Sequence, residues 1–394
     1  MKTRIQHRCF RGGIAVLASA LMFAPLTGHA QEDLASRTQA ARDYLEGKLK
    51  APEYKITYDG PPITIRFSSF VTNTVPLWKV YRAAFKQLEA ESKGKLLIKD
   101  YPGGVLHAMA DGFKAVRSGI TDLSQCYISY QPTSFQLMHG TAMSGLFPDA
   151  VVGAAVASQI YPEYFKKEYE AVGVYLARSS MTPPYNIVTK KPIRRLEDFN
   201  GMKVRSVGGI QADQMRAVRA TPIFLSTPEA YTGFQRGTVD GVVGHDAAFV
   251  SFRTAEPAKA WTDLRFATVQ LDYCLRKEVY DSLPPDLKKV FYDWLQRWNI
   301  VDAQLWFETY AGQAREKMKA MGIEMINLDP AERKRIMDAM KKPNDQWIAD
   351  MESKGLPAKK LIADIDQKVS SESKKSWNEL FMDTIKNPVQ GLID

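Results

Sequence analysis

Beyond its first 30 residues the chain has little of the equipment for covalent chemistry. Only His107, His139 and His245 remain as histidines there, and none belongs to an H-E-x-x-H pair. No phosphate-cradling G-x-x-x-x-G-K-[ST], no G-x-S-x-G elbow and no dinucleotide fingerprint occurs. Cys126 and Cys274 lack metal-ligand spacing, and His245 beside Asp246 is too small a set to hold a metal. Catalysis, a metal and a cofactor are therefore not expected. Binding needs less: a cleft, a fixed charge and a few directional hydrogen bonds. Arg205 has the right chemistry, because a guanidinium presents paired donors that match a carboxylate edge-on and stays charged at any relevant pH. On the residues alone, the plainer alternative is a surface strand arginine paired with an Asp or Glu.

The stretch that must position Arg205 runs from Leu196 to Asp246 and alternates strand-like and helical patterns. Met202 to Val207 reads as a strand with Arg205 near its end. Gly208-Gly209 turns the chain into a helix ending near Ala220, and Thr221 to Leu225 is a second strand. Ser226-Thr227-Pro228-Glu229 then opens a helix with a hydroxyl N-cap, a first-turn Pro and a carboxylate near the positive end. Gly237 closes that helix, and Thr238 to Gly244 is the third strand. In such α/β units ligands sit beyond the carboxyl ends of strands, within reach of Arg205.

This stretch resembles the periplasmic solute-binding proteins of tripartite ATP-independent (TRAP) transporters. The residues that carry the resemblance are Pro192-Ile193, Asp198-Phe199-Asn200-Gly201-Met202-Lys203-Val204-Arg205, then Pro222, Glu229, Tyr231, Gln235, Gly237, Val239, Asp240 and Gly241. Upstream, Tyr101 to Leu106 matches the family's Y-P-G-G-x-L turn, and Val116 to Asp122 matches its V-x-x-G-x-x-D helix end. The resemblance spans roughly Ile63 to Val369. It implies an α/β, two-lobed periplasmic binding protein fold, with hinge strands and a long helix spanning both lobes. It also implies a function: capture of a small organic anion, a carboxylate, for delivery to the membrane subunits of a TRAP permease. A sensory binding protein would share the fold, and a secreted hydrolase is the rival from another class. Arg205 matches the arginine that holds the substrate carboxylate. Many members carry a second arginine about seven or eight residues before the Pro-Ile; here Pro184 and Tyr185 stand there, and Arg178 is the nearest arginine. That departure favours a monocarboxylate over a dicarboxylate. Further lining candidates are Tyr185, Phe70, Thr72 and Asn73 after the first strand, Gln125 and Tyr127 at the end of the third, and Thr227, His245 and Asp246.

The rest of the chain fits secretion. Lys2, Arg4, Arg8 and Arg11 precede an apolar run from Ile14 to Leu26, and Gly28-His29-Ala30 offers a cleavage site. The run is shorter than the roughly 20 residues of a spanning helix. Removing residues 1–30 takes four positive charges and no negative ones, so +9 becomes +5. This mild excess, without a basic tract interleaved with aromatics, points to no nucleic-acid partner. With 45% hydrophobic and 25% charged residues the chain reads as ordinary globular protein. The expected division is a signal peptide over 1–30, an extension over 31–62, lobe I over 63–182 with 271–309, and lobe II over 183–270 with 310–394. Strands are expected at Ile63–Phe67, Leu96–Tyr101, Asp122–Tyr127, Gly173–Ala177, Tyr185–Thr189 and Val269–Arg276. The long helix starts at Pro285, its aromatic stripe serving as core. Cys126 and Cys274 are expected as buried free thiols, although an oxidising compartment permits a bridge. The tail is expected to be helical to about Val369, with a polar, partly disordered end.

Overall fold

The computed structural model describes residues 34–131 and 133–393. The secretion signal assigned over 1–30 lies outside the described residues. Among the described residues eleven strands form two sheets: β1 Ile63–Ser68, β2 Leu96–Tyr101, β3 Leu123–Gln125, β4 Tyr175–Met181, β5 Asn186–Thr189, β6 Lys203–Ser206, β7 Thr221–Phe224, β8 Gly241–Gly244, β9 Ala260–Thr262, β10 Gln270–Leu275 and β11 Glu324–Ile326. The first sheet has the order β2-β1-β3-β10-β4 and the second β11-β9-β5-β8-β6-β7. β1 is parallel to β2 and β3, and β6 is parallel to β7 and β8, as helical crossovers require. β10 and β5 run antiparallel to their neighbours, because each enters its sheet from the other one.

The chain passes between the sheets at β4–β5, at β9–β10 and through a long helical element. At the first two crossings the segments pair with each other: the Thr182 N–H donates to Val269 O at 3.0 Å and the Tyr185 N–H to Ala267 O at 2.7 Å. The third is helix Pro285–Asp302, a π-helical stretch Ala303–Thr309, and helix Tyr310–Ala320. Its first part buries Trp294 and Trp298, stacked 5.0 Å apart, in the core beneath the first sheet. Its last part sends Met318 into a core that flanks the second sheet. This is the long helix spanning both lobes, and the two-lobed α/β architecture is the expected one.

Three expectations need correction. Cys126 and Cys274 form a disulfide, with Cα atoms 5.6 Å apart. β3 and β10 are neighbours, with Cys274 opposite Ser124, so residues 148 positions apart meet at their shared end. The polar stretch after about Val369, expected to be partly disordered, holds a further helix. Helix Trp377–Lys386 buries Trp377, Leu380, Phe381 and Ile385, spaced for a single helical face, and Ser376 caps it together with Glu379. This helix and helix Ala358–Glu372 pack into the core of the first sheet, so the tail beyond about residue 356 does not group with the second lobe. The extension also packs there. Tyr44 and Tyr54 are buried, and their hydroxyls accept from the fully buried Arg297, which pairs with Glu91.

Candidate functional site

Arg205 follows Lys203 and Val204 in a short parallel strand whose neighbours set its side chain. Its Nε donates to Leu225 O at 2.9 Å, Nη1 to Val243 O at 3.4 Å and Nη2 to Thr227 Oγ1 at 3.3 Å. Leu225 directly follows β7, Val243 belongs to β8 and Thr227 opens helix Thr227–Arg236, so three parts of the second sheet's layer orient one guanidinium. The helix start is fixed as the sequence predicts: the Ser226 N–H and hydroxyl both donate to Glu229, and Gly237 ends it at φ +79°. Arg205 is 4% exposed, and among the described residues no carboxylate forms an ion pair with it. Its partners are three uncharged oxygens, which leave two of its five N–H donors uncommitted. The alternative of a surface strand arginine paired with an acid is thereby removed. A buried cation without a counter-ion is costly, and a bound anion would relieve it.

One cavity lies against that guanidinium. Phe70, Gln125, Tyr127, Tyr185, Arg205, Thr227 and His245 all line it. Residues beyond the carboxyl ends of β1 and β3 form one side, and β6, β8 and helix Thr227–Arg236 form the other. Gln125 is locked: Oε1 accepts from Ser69 Oγ at 2.7 Å, while Nε2 donates to the hydroxyls of Tyr81 and Tyr273, which also bond to each other. Gly112 allows this close packing, since a Cβ there would collide with the Gln125 carbonyl oxygen. His245 is packed against Tyr185, Trp306 and Phe307, and its Nδ1 has no hydrogen-bond partner among the described residues. Burial pushes its imidazole down to about 3, so it is neutral at any ordinary pH. Burial also raises the Tyr185 phenol, while Arg205 pulls it back.

The other candidates fall outside. Thr72 and Asn73 are exposed, because the turn after β1 points Val71 and Val75 inward instead. Arg178 is not a wall residue. It is fully buried behind the wall, with its guanidinium 3.6 Å from the Tyr273 ring centre and 4.0 Å from that of Trp298. Nη2 donates to Asp302 at 2.9 Å and Nη1 to Ser180 at 2.7 Å, so β4 uses it as a structural ion pair. The Asp246 carboxylate serves Asn186, Trp261 and Arg315 and lies outside the cavity.

Sequence reasoning missed much of the apolar wall, including Leu77, Val207, Phe249, Phe252, Trp306 and Phe307. For Trp306 and Phe307 a signal was available. Leu305, Trp306 and Phe307 are three large apolar residues in a row, which one helix face cannot bury, and the π-helical stretch turns the last two to the cavity.

A model of bacterial extracellular solute-binding protein family 7 matches residues 67–350. A solute-binding protein from Albidiferax ferrireducens is 26% identical over 247 residues, which cover 59% of this chain and 68% of that protein. Among solved structures, a TRAP solute-binding protein from Rhodoferax ferrireducens in complex with copurified benzoate superposes with a TM-score of 0.75 at 17% identity, covering 79% of this chain and 99% of that one. A marine-metagenome TRAP protein specific for aromatic acids, in complex with 3-hydroxybenzoate, gives 0.74 at 21% identity over 79% and 99%. Others with this fold hold galacturonate or glucuronate.

Proposed function

For this chain, which belongs to bacterial extracellular solute-binding protein family 7, we propose that the solute is a small monocarboxylate with an apolar, aromatic body, delivered to the membrane subunits of a TRAP permease. The observation that carries the reading is Arg205: a buried guanidinium at a cavity wall, held by Leu225, Val243 and Thr227 and lacking a carboxylate partner among the described residues. The start of helix Thr227–Arg236 adds its positive end beside the same position. Aromatic and aliphatic side chains make up most of the remaining wall. A sugar acid would need a hydrogen-bond partner for each hydroxyl, and the Gln125 amide is already committed to Ser69, Tyr81 and Tyr273. An aromatic acid needs flat apolar walls and one anion site. The absence of a second wall arginine, Arg178 being committed to Asp302, supports one carboxylate over two. The signal-like segment 1–30 supports export to the periplasm. We infer binding without turnover.

A thermal-shift screen of aromatic acids, sugar acids and amino-acid derivatives tests the reading. A ligand at about 100 times its Kd stabilises by about 2.7 kcal/mol. An aromatic monocarboxylate is expected as the best hit, recovered unchanged after incubation, and Arg205→Ala is expected to abolish the shift. Wild-type affinity in that variant, or chemical conversion of the ligand, would sink it.

A further inference from the structure

The cavity wall carries a second charged side chain besides Arg205. Asp302, the last residue of helix Pro285–Asp302, lines the cavity and is 1% exposed. Its Oδ2 accepts from Arg178 Nη2 at 2.9 Å, while its Oδ1 has no hydrogen-bond partner among the described residues. Arg178 is held between the rings of Tyr273 and Trp298 and bonded to Ser180, so it serves one oxygen only. The nearby hydroxyls of Tyr81 and Tyr273 are committed to each other and to Gln125. Burial pushes the Asp302 carboxyl up, while the Arg178 guanidinium beside it pulls it down. An apolar belt that includes Phe70, Leu77, Val207, Phe249, Phe252 and Phe307 lines the same cavity.

A buried carboxylate oxygen with no donor is a costly vacancy, and a group on the solute can fill it. His245 Nδ1 and Tyr130 Oη also lack partners, but either group can donate or accept, so neither dictates polarity. The Asp302 carboxylate can only accept. It is already neutralised by Arg178, so a cationic amine would add an uncompensated buried charge, whereas a neutral hydroxyl would not.

We propose that the solute is a hydroxyaryl carboxylate, its carboxylate on Arg205, its ring across the apolar belt and its phenolic hydroxyl donating to Asp302 Oδ1. This rests on the reading of Arg205 as the carboxylate anchor. Asp302 then selects among aromatic acids.

Calorimetric titration of the purified protein with benzoate, phenylacetate, 3-phenylpropanoate and cinnamate, each with its 3-hydroxy, 4-hydroxy and 4-methoxy derivative, tests it. For the acid whose length spans the cavity, the hydroxylated form is expected to bind roughly tenfold or more tightly than both its parent and its methyl ether, the range of a charge-assisted hydrogen bond. Asp302→Asn is expected to bring the hydroxyl-to-parent ratio close to one. If that variant does not fold, because Arg178 is left without its counter-ion, the wild-type ratios decide alone. Equal binding of hydroxylated and parent acids throughout the series overturns this inference and leaves the anchor at Arg205 standing. A preference that persists in Asp302→Asn overturns the role of Asp302. Failure of every aromatic acid to bind overturns both readings together.

Discussion

Arg205 and Arg178 show how one residue type takes opposite roles. Both are buried, but Arg178 has Asp302 across a 2.9 Å contact and Arg205 has only uncharged oxygens. Removing the charge of Arg205 should therefore relieve the empty protein. Arg205→Met is expected to melt at or above the wild-type temperature without ligand, and to show no carboxylate-induced shift; a clearly lower melting point of the empty variant would mean the guanidinium is structural. The position of Arg205 near the end of a strand in an α/β unit was legible from its neighbours, as were Thr227 and Tyr185. The committed state of Arg178 was not, because its partner lies 124 positions away in a helix whose stripe reads as plain core. Asn73 was misplaced for a different reason. Polar residues in a loop carry no record of which way the turn faces.

At the scale of elements, local signals served well where a strand or helix is built from its own residues. The capped helix Thr227–Arg236 and the strands β1, β2 and β10 stand within a residue or two of expectation. Helix Trp377–Lys386 was missed: its Ser376–Glu379 capping box and its buried residues at helical spacing stand in the sequence, but its polar outer face concealed them. The disulfide was not legible, since it depends on which strands of the first sheet become neighbours. It ties the end of β3, next to Gln125 and Tyr127, to β10 next to Tyr273, and so staples three wall residues. The loop it closes is long, with a sequence separation of 148. The double variant Cys126→Ser/Cys274→Ser should lose about 2–4 kcal/mol of stability in urea unfolding, and bind the best carboxylate more weakly. Unchanged stability would show that the core alone holds these strands together.

For the whole molecule, two consequences follow from what is buried and what touches across the cleft. Burial raises the carboxyls of Glu168, Asp272 and Glu308, each to about 7, with Asp149 adding repulsion at Glu308. Their folded forms hold protons that the unfolded chain releases above the ordinary carboxylate range, so this stability is complete at low pH and is lost as pH rises through 7. His245, lowered to about 3, and His139, also lowered by burial, act oppositely: the unfolded chain takes up their protons below about 6.5 more readily than the folded one. Three carboxyls outweigh two imidazoles, and the melting temperature should be higher at pH 5.5 than at pH 8; the reverse order would refute the balance. The second consequence concerns closure. Phe70, beyond β1, stacks on Phe252 across the cleft with centroids 6.0 Å apart, and Tyr130 meets Phe224 at 5.5 Å. These rings join the two sides of the cavity outside the anion site. They favour the closed form whichever acid is bound, and must separate before it leaves. An aromatic pair contributes about 0.5–1.5 kcal/mol beyond its area, so Phe252→Ala should speed ligand release about three- to tenfold, as rapid-mixing fluorescence would record, and leave association nearly unchanged. Wild-type release from that variant would mean that the contact forms without bearing on the open–closed balance, and that Arg205 and the ring-lined walls alone set the residence time.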